Sequence, residues 1–240
     1  MMMSPVQNEK QNVPTEVKVE FISRLASAGL SHVEATSFVS PKWVPQMADH
    51  KEVMAALAER ADDLAGVHFP VLVPNTKGLD AAVKAGVREI AVFGAASEAF
   101  SKKNINCSIK ESLERFKPVM EKAKSSGIKV RGYVSCVIDC PYEGHIAPDR
   151  VADVAQAMLE MGCYEISLGD TIGVGNPSSM AAMLDRVLER VGEVDCLAVH
   201  CHDTYGQALE RACSSETKFF CPDHFPTQGL AWPPSQTFCP

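Results

Sequence analysis

Two histidines separated by a single residue, His200 and His202, are the side chains of this sequence best suited to chemistry. They lie in the run LAVHCHD, whose apolar start predicts a β-strand at residues 197–203. Successive side chains of a strand point to opposite faces, so both imidazoles share one face and can bind one ion. Because histidine is the commonest metal ligand, we predict half of a divalent-metal site here. A histidine pair hydrogen-bonded inside a core is the alternative that this spacing leaves open.

The composition offers no general attraction for a polyanionic partner. The 240 residues are 46% hydrophobic and carry a net charge of −7, so we expect neither nucleic-acid nor anionic-membrane binding. A ligand that carries phosphates would need a local basic cluster. No apolar run reaches the roughly 20 residues of a membrane span. Nine cysteines without a signal-peptide pattern indicate reduced thiols inside the cell, and Cys136 and Cys140 lack the second pair of a zinc site.

One unit, a β-strand followed by a helix, repeats along the chain and must position these residues. Six apolar, β-rich runs predict strands at residues 32–38, 68–75, 89–97, 129–136, 164–171 and 197–203. Helical patterns lie near residues 15–28, 49–60, 77–85, 108–126, 148–161 and 177–191. Several of these helices are followed by a glycine that can end them, as at Gly29, Gly86, Gly127 and Gly162. Strands that alternate with helices at this spacing predict parallel βα units.

The distribution of polar residues favours a TIM barrel over a doubly wound sheet. Polar side chains follow every predicted strand at its carboxyl end: Glu34 with Thr36 and Ser37, Asn75, Ser97 with Glu98, Ser135, Asp170 with Thr171, and His200 with His202. A barrel draws its active face from all strands, whereas a doubly wound sheet concentrates such groups at one switch point. The glycines at 169, 173 and 175 do not form a dinucleotide loop, because Asp170 and Thr171 interrupt them.

Five blocks of the sequence resemble 3-hydroxy-3-methylglutaryl-CoA lyases. They are ATSFVSPKWVPQMADH (35–50), VFGAASEAFSKKNINCSI (92–109), RGYVSCVIDCPYEG (131–144), MGCYEISLGDTIGVGNP (161–177) and LAVHCHDTYGQAL (197–209). The resemblance runs from about Gln7 to Leu209. It implies an α/β fold of the TIM (β/α)8 type, incomplete, with about six βα units in residues 1–209. Residues 210–240, rich in Pro and Cys, are expected to form an irregular tail.

The resemblance also implies an activity and a cofactor. The family cleaves hydroxymethylglutaryl-CoA to acetyl-CoA and acetoacetate by a retro-Claisen reaction assisted by a divalent metal cation, Mg²⁺ or Mn²⁺. An acyl-CoA is therefore the expected substrate. The oligomeric state stays open, with a homodimer as one candidate. The blocks at residues 13–25 and 46–54 are nearer the cytoplasmic form of the family, so we expect a cytoplasmic protein, with the mitochondrial matrix as the alternative.

Site residues follow from the resemblance, position by position. It implies that His200 and His202 are metal ligands and that Glu34 and Asp170 are catalytic. The substrate-binding residues it implies are Gln7, Ser37, Lys102, Lys103, Asn104 and Ser135. Each has a plainer alternative: Glu34 as a buried acid paired with a base, Asp170 as the cap of the next turn, the serines as structural hydroxyls. One loop after the third strand is expected to carry Lys102, Lys103 and Asn104. The plainer alternative for these three residues is that they are merely exposed to solvent.

The sequence departs from the family pattern near both ends. The family motif GPRDGLQNEK corresponds to MMMSPVQNEK, so Met3 occupies the position of the arginine and Ser4 that of the metal-binding aspartate. The family's GLGGCP loop, with its catalytic cysteine, has no counterpart after Leu209. Mg²⁺ needs about six donors and usually a carboxylate, so two imidazoles alone would bind it poorly. We therefore expect little or no lyase activity from these 240 residues.

Two further functions stay open at this stage. One is a non-catalytic protein that keeps a CoA pocket or pairs with a complete subunit. The other is an acyltransferase that runs the reaction in the Claisen-condensing direction, as isopropylmalate and homocitrate synthases do. The KKNINCS and CPYEG blocks favour the lyase over the condensing enzymes.

Overall fold

A computed structural model of the chain describes Glu9 and residues 11–213. Among these residues, a six-stranded sheet has the strand order β1-β2-β3-β4-β7-β8, and a separate hairpin pairs β5 with β6. The strands are β1 Thr36–Ser37, β2 Val71–Leu72, β3 Glu89–Ala95, β4 Lys129–Ser135, β5 Asp139–Cys140, β6 Gly144–His145, β7 Glu165–Asp170 and β8 Leu197–Cys201. The helices are α1 Thr15–Ser27, α2 His50–Glu59, α3 Thr76–Lys84, α4 Glu98–Ile105, α5 Ile109–Ser125, α6 Pro148–Glu160, α7 Pro177–Val191 and α8 Ala208–Cys213. A short 3₁₀ turn occupies Pro45–Met47.

The βα repeat predicted from the sequence is confirmed. All six predicted strands and all six predicted helices are present, although β1 and β2 are shorter than expected at two residues each. The glycines expected to end helices do so with positive φ, for example +95° at Gly29 and +105° at Gly162. This left-handed conformation strains any residue with a Cβ, which is why glycine occupies these positions.

The described residues divide into two compact units. The first contains residues 11–92 and 118–130, and the second contains residues 93–117 and 131–213. In the first unit, β1 pairs in parallel with β2, and β2 with the start of β3. Its core is apolar and includes Ile22, Val53, Val71, Leu79 and Ile90.

In the second unit, three parallel strands form the frame that carries the histidines. Residues 131–135 of β4 pair with β7, and β7 pairs with β8, so that Gly169 lies beside His200 and Asp170 beside Cys201. Consecutive residues are buried in these strands, at 132–134 in β4 and at 166–168 in β7, which is typical of parallel sheets covered by helices. Helices α6 and α7 supply buried side chains to this unit, including Met158, Met180 and Leu184.

Two features of these helices differ from the sequence-based expectations. Residues 98–105, expected as part of a loop, form helix α4. Helix α8 continues to Cys213, four residues beyond the point at which the regular pattern was expected to stop. The rest of the expected tail lies outside the described residues. None of the helices in the described part of the chain is both long and apolar enough to cross a membrane.

Candidate functional site

Two of the polar residues at strand ends begin the helices that follow. The Asn75 side chain accepts a hydrogen bond from Gly78 N (3.0 Å), and the Ser97 hydroxyl accepts one from Phe100 N (3.0 Å). These contacts satisfy backbone N–H groups that the first turn of a helix leaves without partners. Sequence reasoning placed both residues at the carboxyl edge of the strands, and their role there is to cap α3 and α4.

The two histidines lie together at the carboxyl end of β8. Their ring centroids are 5.0 Å apart and the rings meet edge to face at 76°. His202 Nδ1 lies 2.5 Å from the carbonyl oxygen of Thr171. A carbonyl only accepts, so Nδ1 carries a proton, and a ligand of this ring would be bound through Nε2. Metal-binding histidines are commonly oriented by such a backbone contact.

Asp170, the last residue of β7, is fully buried and bonded on both carboxylate oxygens. Oδ1 accepts from Gly173 N (3.1 Å), while Oδ2 accepts from Gly175 N (2.9 Å) and from Arg211 Nη1 (2.8 Å). These bonds fix the turn between β7 and α7. The structure therefore supports the capping alternative for Asp170, and its catalytic role stays a prediction.

Arg211 is a residue that sequence reasoning missed. Its buried guanidinium donates to the Gly175 carbonyl (2.7 Å) and to the His202 carbonyl, besides Asp170. A single cation thus joins the end of β7 to the residue after β8. The signal that could have found it is Asp170 itself, because a buried carboxylate requires a cation or several N–H donors.

The substrate-binding cluster expected on a loop lies instead on helix α4, so the loop assignment was wrong. Lys102, Lys103 and Asn104 are exposed in its last turns, and Asn106 ends the helix with φ +50°. The Lys103 Nζ lies 5.3 Å above the ring of Tyr142. Two exposed cations on an ordered helix remain suitable for a phosphate group.

The hairpin β5–β6 packs against the start of α4 through a polar cluster. Cys140 Sγ accepts a hydrogen bond from the Ser97 hydroxyl (2.9 Å), and Glu143 accepts from Ala99 N (3.1 Å) and from Arg150 Nη1 (2.8 Å). Burial alone would raise the pKa of Cys140, but the bonds from Ser97 and from the backbone N–H groups of Tyr142 and Glu143 lower it.

Cys136, just before the hairpin, differs from Cys140 in the direction in which its thiol pKa is shifted. Burial raises the pKa of Cys136 to about 12, against the opposing effect of the Thr171 hydroxyl. Its φ is +59°, a left-handed conformation in a residue that is not glycine. The Cys136 N–H donates to Thr171 Oγ1 (2.7 Å), which ties the end of β4 to the end of β7.

The remaining predicted site residues fall in different parts of the chain. Glu34 and Ser37 are buried in the first unit, at and just before β1. The Ser37 hydroxyl has no hydrogen-bond partner among the described residues. Ser135, the half-buried last residue of β4 in the second unit, accepts a bond from Ala96 N (2.9 Å) at its carbonyl. Gln7 lies outside the described residues.

The histidine pair fits one half of a metal site. Both side chains are half-buried, and the Thr171 carbonyl presents His202 Nε2 in the form that binds a metal. Within residues 11–213, no third histidine, cysteine or carboxylate completes a three-ligand group with them. A divalent cation held here would need further oxygen donors, from the substrate, water or residues outside that range.

Parallel βα units in a six-stranded sheet, with paired histidines at one strand's carboxyl end, define an α/β protein of the TIM-barrel class. The HMGL-like family profile matches residues 6–214, and this chain belongs to that family. The incomplete barrel-type fold predicted from the sequence is thereby confirmed.

Known relatives agree with this assignment. The chain is 62% identical over 204 residues to the mitochondrial hydroxymethylglutaryl-CoA lyase of Bos taurus, covering 85% of this chain and 61% of that protein. It is 60% identical to the cytoplasmic 3-hydroxy-3-methylglutaryl-CoA lyase of Rattus norvegicus, covering 85% and 58%. The crystal structure of the Pseudomonas aeruginosa hydroxymethylglutaryl-CoA lyase matches with a TM-score of 0.82 and 52% identity, covering 88% and 69%. The chain thus spans about three fifths of the length of these two curated relatives.

Proposed function

We propose that this protein takes part in the metal-dependent cleavage of 3-hydroxy-3-methylglutaryl-CoA to acetyl-CoA and acetoacetate. The observation that carries the proposal is the pair His200 and His202, with the Thr171 carbonyl holding His202 Nδ1 so that Nε2 can bind a metal. High identity to proteins named for this reaction supports it.

The reaction requires removal of a proton from the substrate hydroxyl, cleavage of the neighbouring C–C bond and stabilisation of the negative charge that develops. When the tertiary hydroxyl loses its proton, its C–O bond becomes the C=O bond of a ketone as the neighbouring C–C bond breaks. The ketone product is acetoacetate. The electrons of the broken C–C bond pass to the thioester enolate, and its protonation gives acetyl-CoA. Bound Mg²⁺ or Mn²⁺ would orient the hydroxyl and carboxylate of the substrate and lower the pKa of the hydroxyl.

Residues of this chain are assigned to these tasks as follows. His200 and His202 hold the metal, and the buried acids Glu34 and Asp170 are the catalytic residues that we propose. Arg211 keeps Asp170 and the His202 backbone in place. Lys102, Lys103 and Asn104 receive the phosphates of coenzyme A. Gln7, Ser37 and Ser135 are the further substrate contacts that we propose.

Turnover measurements on the purified 240-residue chain test the proposal. The chain is incubated with the thioester and Mn²⁺, and acetoacetate and acetyl-CoA are measured together. Because Met3 and Ser4 occupy the family's arginine and aspartate positions, we expect slow turnover that the M3R/S4D variant increases. The H200Q/H202Q variant should lose both Mn²⁺ binding and turnover, whereas H145Q, at an exposed histidine on the hairpin, should keep both.

Other outcomes separate the alternatives. Thioester binding without turnover in any variant would favour a non-catalytic CoA-binding protein that pairs with a complete subunit. Condensation of acetyl-CoA with a 2-oxo acid would favour an acyltransferase. Full Mn²⁺ affinity in H200Q/H202Q would overturn the assignment of the metal ligands.

Compartment and assembly are further parts of the proposal. We place the protein in the cytoplasm as a homodimer, with the mitochondrial matrix as the alternative compartment. Relatives named for each compartment match the chain, and the QMADHKEVM block at residues 46–54 supports the cytoplasmic form. Cell fractionation and light scattering of the purified protein test the two statements separately.

A further inference from the structure

Three potential metal ligands meet at the amino ends of three neighbouring strands in the first unit. His32 precedes β1, His68 precedes β2, and Glu89 is the first residue of β3. The backbone fixes two of them in register, because His68 N donates to the Ser31 carbonyl (2.7 Å) and Val33 N donates to the His68 carbonyl (2.9 Å). The cluster lies at the opposite end of these strands from Ser37, the last residue of β1.

The ligand atoms of this cluster are close enough for one cation. All three lie within 4.8 Å of one another, and His68 Nδ1 is 3.7 Å from Glu89 Oε2. In a tetrahedral site with bonds of about 2.1 Å, ligand atoms are about 3.4 Å apart. The His68 and Glu89 atoms already approach that separation, and shortening the widest separation by about 1.4 Å would close the group.

Neighbouring groups position the two less mobile ligands. His32 Nδ1 is 3.1 Å from the Ser31 hydroxyl, a contact that helps to orient the ring. Glu89 is buried, with 8% of its side chain exposed, which limits the orientations of its carboxylate. Outer hydrogen bonds of this kind orient histidine ligands in known metal sites.

His68 provides the movement that binding requires. Its ring stacks on that of His32 with centroids 4.5 Å apart and planes inclined by 8°. Lone pairs in two parallel planes cannot meet at one ion, so one ring has to turn. The His68 side chain is 54% exposed and can rotate about its Cβ–Cγ bond without displacing core atoms.

We propose that His32, His68 and Glu89 form a binding site for Zn²⁺ that ties together the amino ends of β1, β2 and β3. Two imidazoles and one carboxylate favour a borderline transition metal over Mg²⁺, which prefers oxygen ligands throughout. The exposed His68 leaves the fourth position of a tetrahedral site open to water. This site is separate from the one assigned to His200 and His202.

The test is Zn²⁺ affinity, measured by competition with a chromophoric chelator on the 240-residue chain without a histidine tag. H68Q should weaken Zn²⁺ binding by about 100-fold, because it removes a direct ligand at an exposed position that the fold does not need. E89Q should weaken it similarly. H145Q, which alters an exposed histidine beside a single carboxylate, is the matched control and should bind Zn²⁺ unchanged.

Two further measurements make the outcome decisive. Zn²⁺ should raise the melting temperature of the unaltered chain and of H200Q/H202Q, but not that of H68Q/H200Q/H202Q, in which both proposed sites are altered. Co²⁺ added to H200Q/H202Q should give visible absorption bands that H68Q/H200Q/H202Q loses. The proposal is overturned if H68Q binds Zn²⁺ as tightly as the unaltered chain, or if all Zn²⁺ binding disappears in H200Q/H202Q.

Discussion

Arg211 Nη1 lies 2.8 Å from Asp170 Oδ2, and both side chains are fully buried. The two residues are 41 positions apart in the sequence, and the same guanidinium reaches the carbonyl of His202. The ion pair therefore connects the turn after β7 to the residue that the proposed chemistry requires. The ion pair holds these groups together rather than adding much net stability, since buried pairs seldom stabilise a protein more than apolar packing does.

Removal of one partner should be costly. R211M leaves the Asp170 carboxylate buried without its cation, and we expect the free energy of unfolding to fall by about 3–5 kcal/mol. Urea denaturation followed by circular dichroism measures the change. R186M removes an arginine whose partners, Asp149 and Glu189, are exposed, and should change stability little. Equal costs for the two variants would contradict the structural role of the buried pair.

Gly173 should tolerate no side chain, for two separate reasons. Its φ is +66°, and a Cβ would lie 2.6 Å from the His202 carbonyl oxygen and closer still to Thr204 Oγ1. Gly192 has φ +77° but open space around it, so G192A isolates the backbone strain, roughly 1–2 kcal/mol. We expect G173A to cost about 1–3 kcal/mol more from the added clash. Thermal unfolding of both variants checks this, and similar melting temperatures would contradict it.

Acid should loosen the contact between the hairpin and α4. Partial burial would raise the pKa of Glu143, but hydrogen bonds from Ala99 N and Arg150 outweigh it and lower the pKa from its ordinary value of 4.5. Because the folded-state pKa is the lower one, the stabilisation is present at neutral pH. It declines as the pH falls below 4.5 and is lost below the folded-state pKa.

The E143Q variant measures this contribution. It should be less stable than the unaltered chain at neutral pH, and the difference should shrink between neutral pH and the acid range. E121Q, at an exposed position on α5, is the control and should keep the original pH dependence. A constant difference at all pH values would mean that ionisation of Glu143 does not matter.

Coenzyme A binding should depend on the two lysines of α4. K102A/K103A removes both exposed cations from the last turn of the helix, and we expect coenzyme A affinity to fall by about tenfold, about 1.4 kcal/mol. The effect should weaken at high salt, because exposed charges are screened. K124A, at an exposed lysine of α5, is the control. Calorimetric titration measures the coenzyme A affinity of both variants. Equal affinities of K102A/K103A and K124A would contradict a role for α4 in binding coenzyme A.

Most of the fold could be predicted from local patterns in the sequence. The six strands were predictable because each is an apolar run bounded by turn residues, and the helix ends because glycine at positive φ is a local requirement. Helix α4 was not predictable in this way. Its sequence EAFSKKNI has no clear apolar face, and its start depends on the Ser97 cap and on Glu143, which lies 44 positions from Ala99.

The candidate site was predictable only in part, for the same physical reason. The spacing of His200 and His202 places them on one strand, so their proximity follows from the sequence. The partners of Asp170 and the meeting of His32, His68 and Glu89 depend on strand register and on contacts between distant segments. Neither leaves a local pattern, and Arg211 lay in a segment expected to be irregular.

The left-handed conformation of Cys136 strains the backbone at the end of β4, which a glycine at this position would not do. A left-handed residue with a Cβ holds about 1–2 kcal/mol of backbone strain, and here the surrounding bonds, including that from its own N–H to Thr171, must maintain it. Because the same bond reaches Thr171, the strained junction after β4 is anchored to the residue that follows β7.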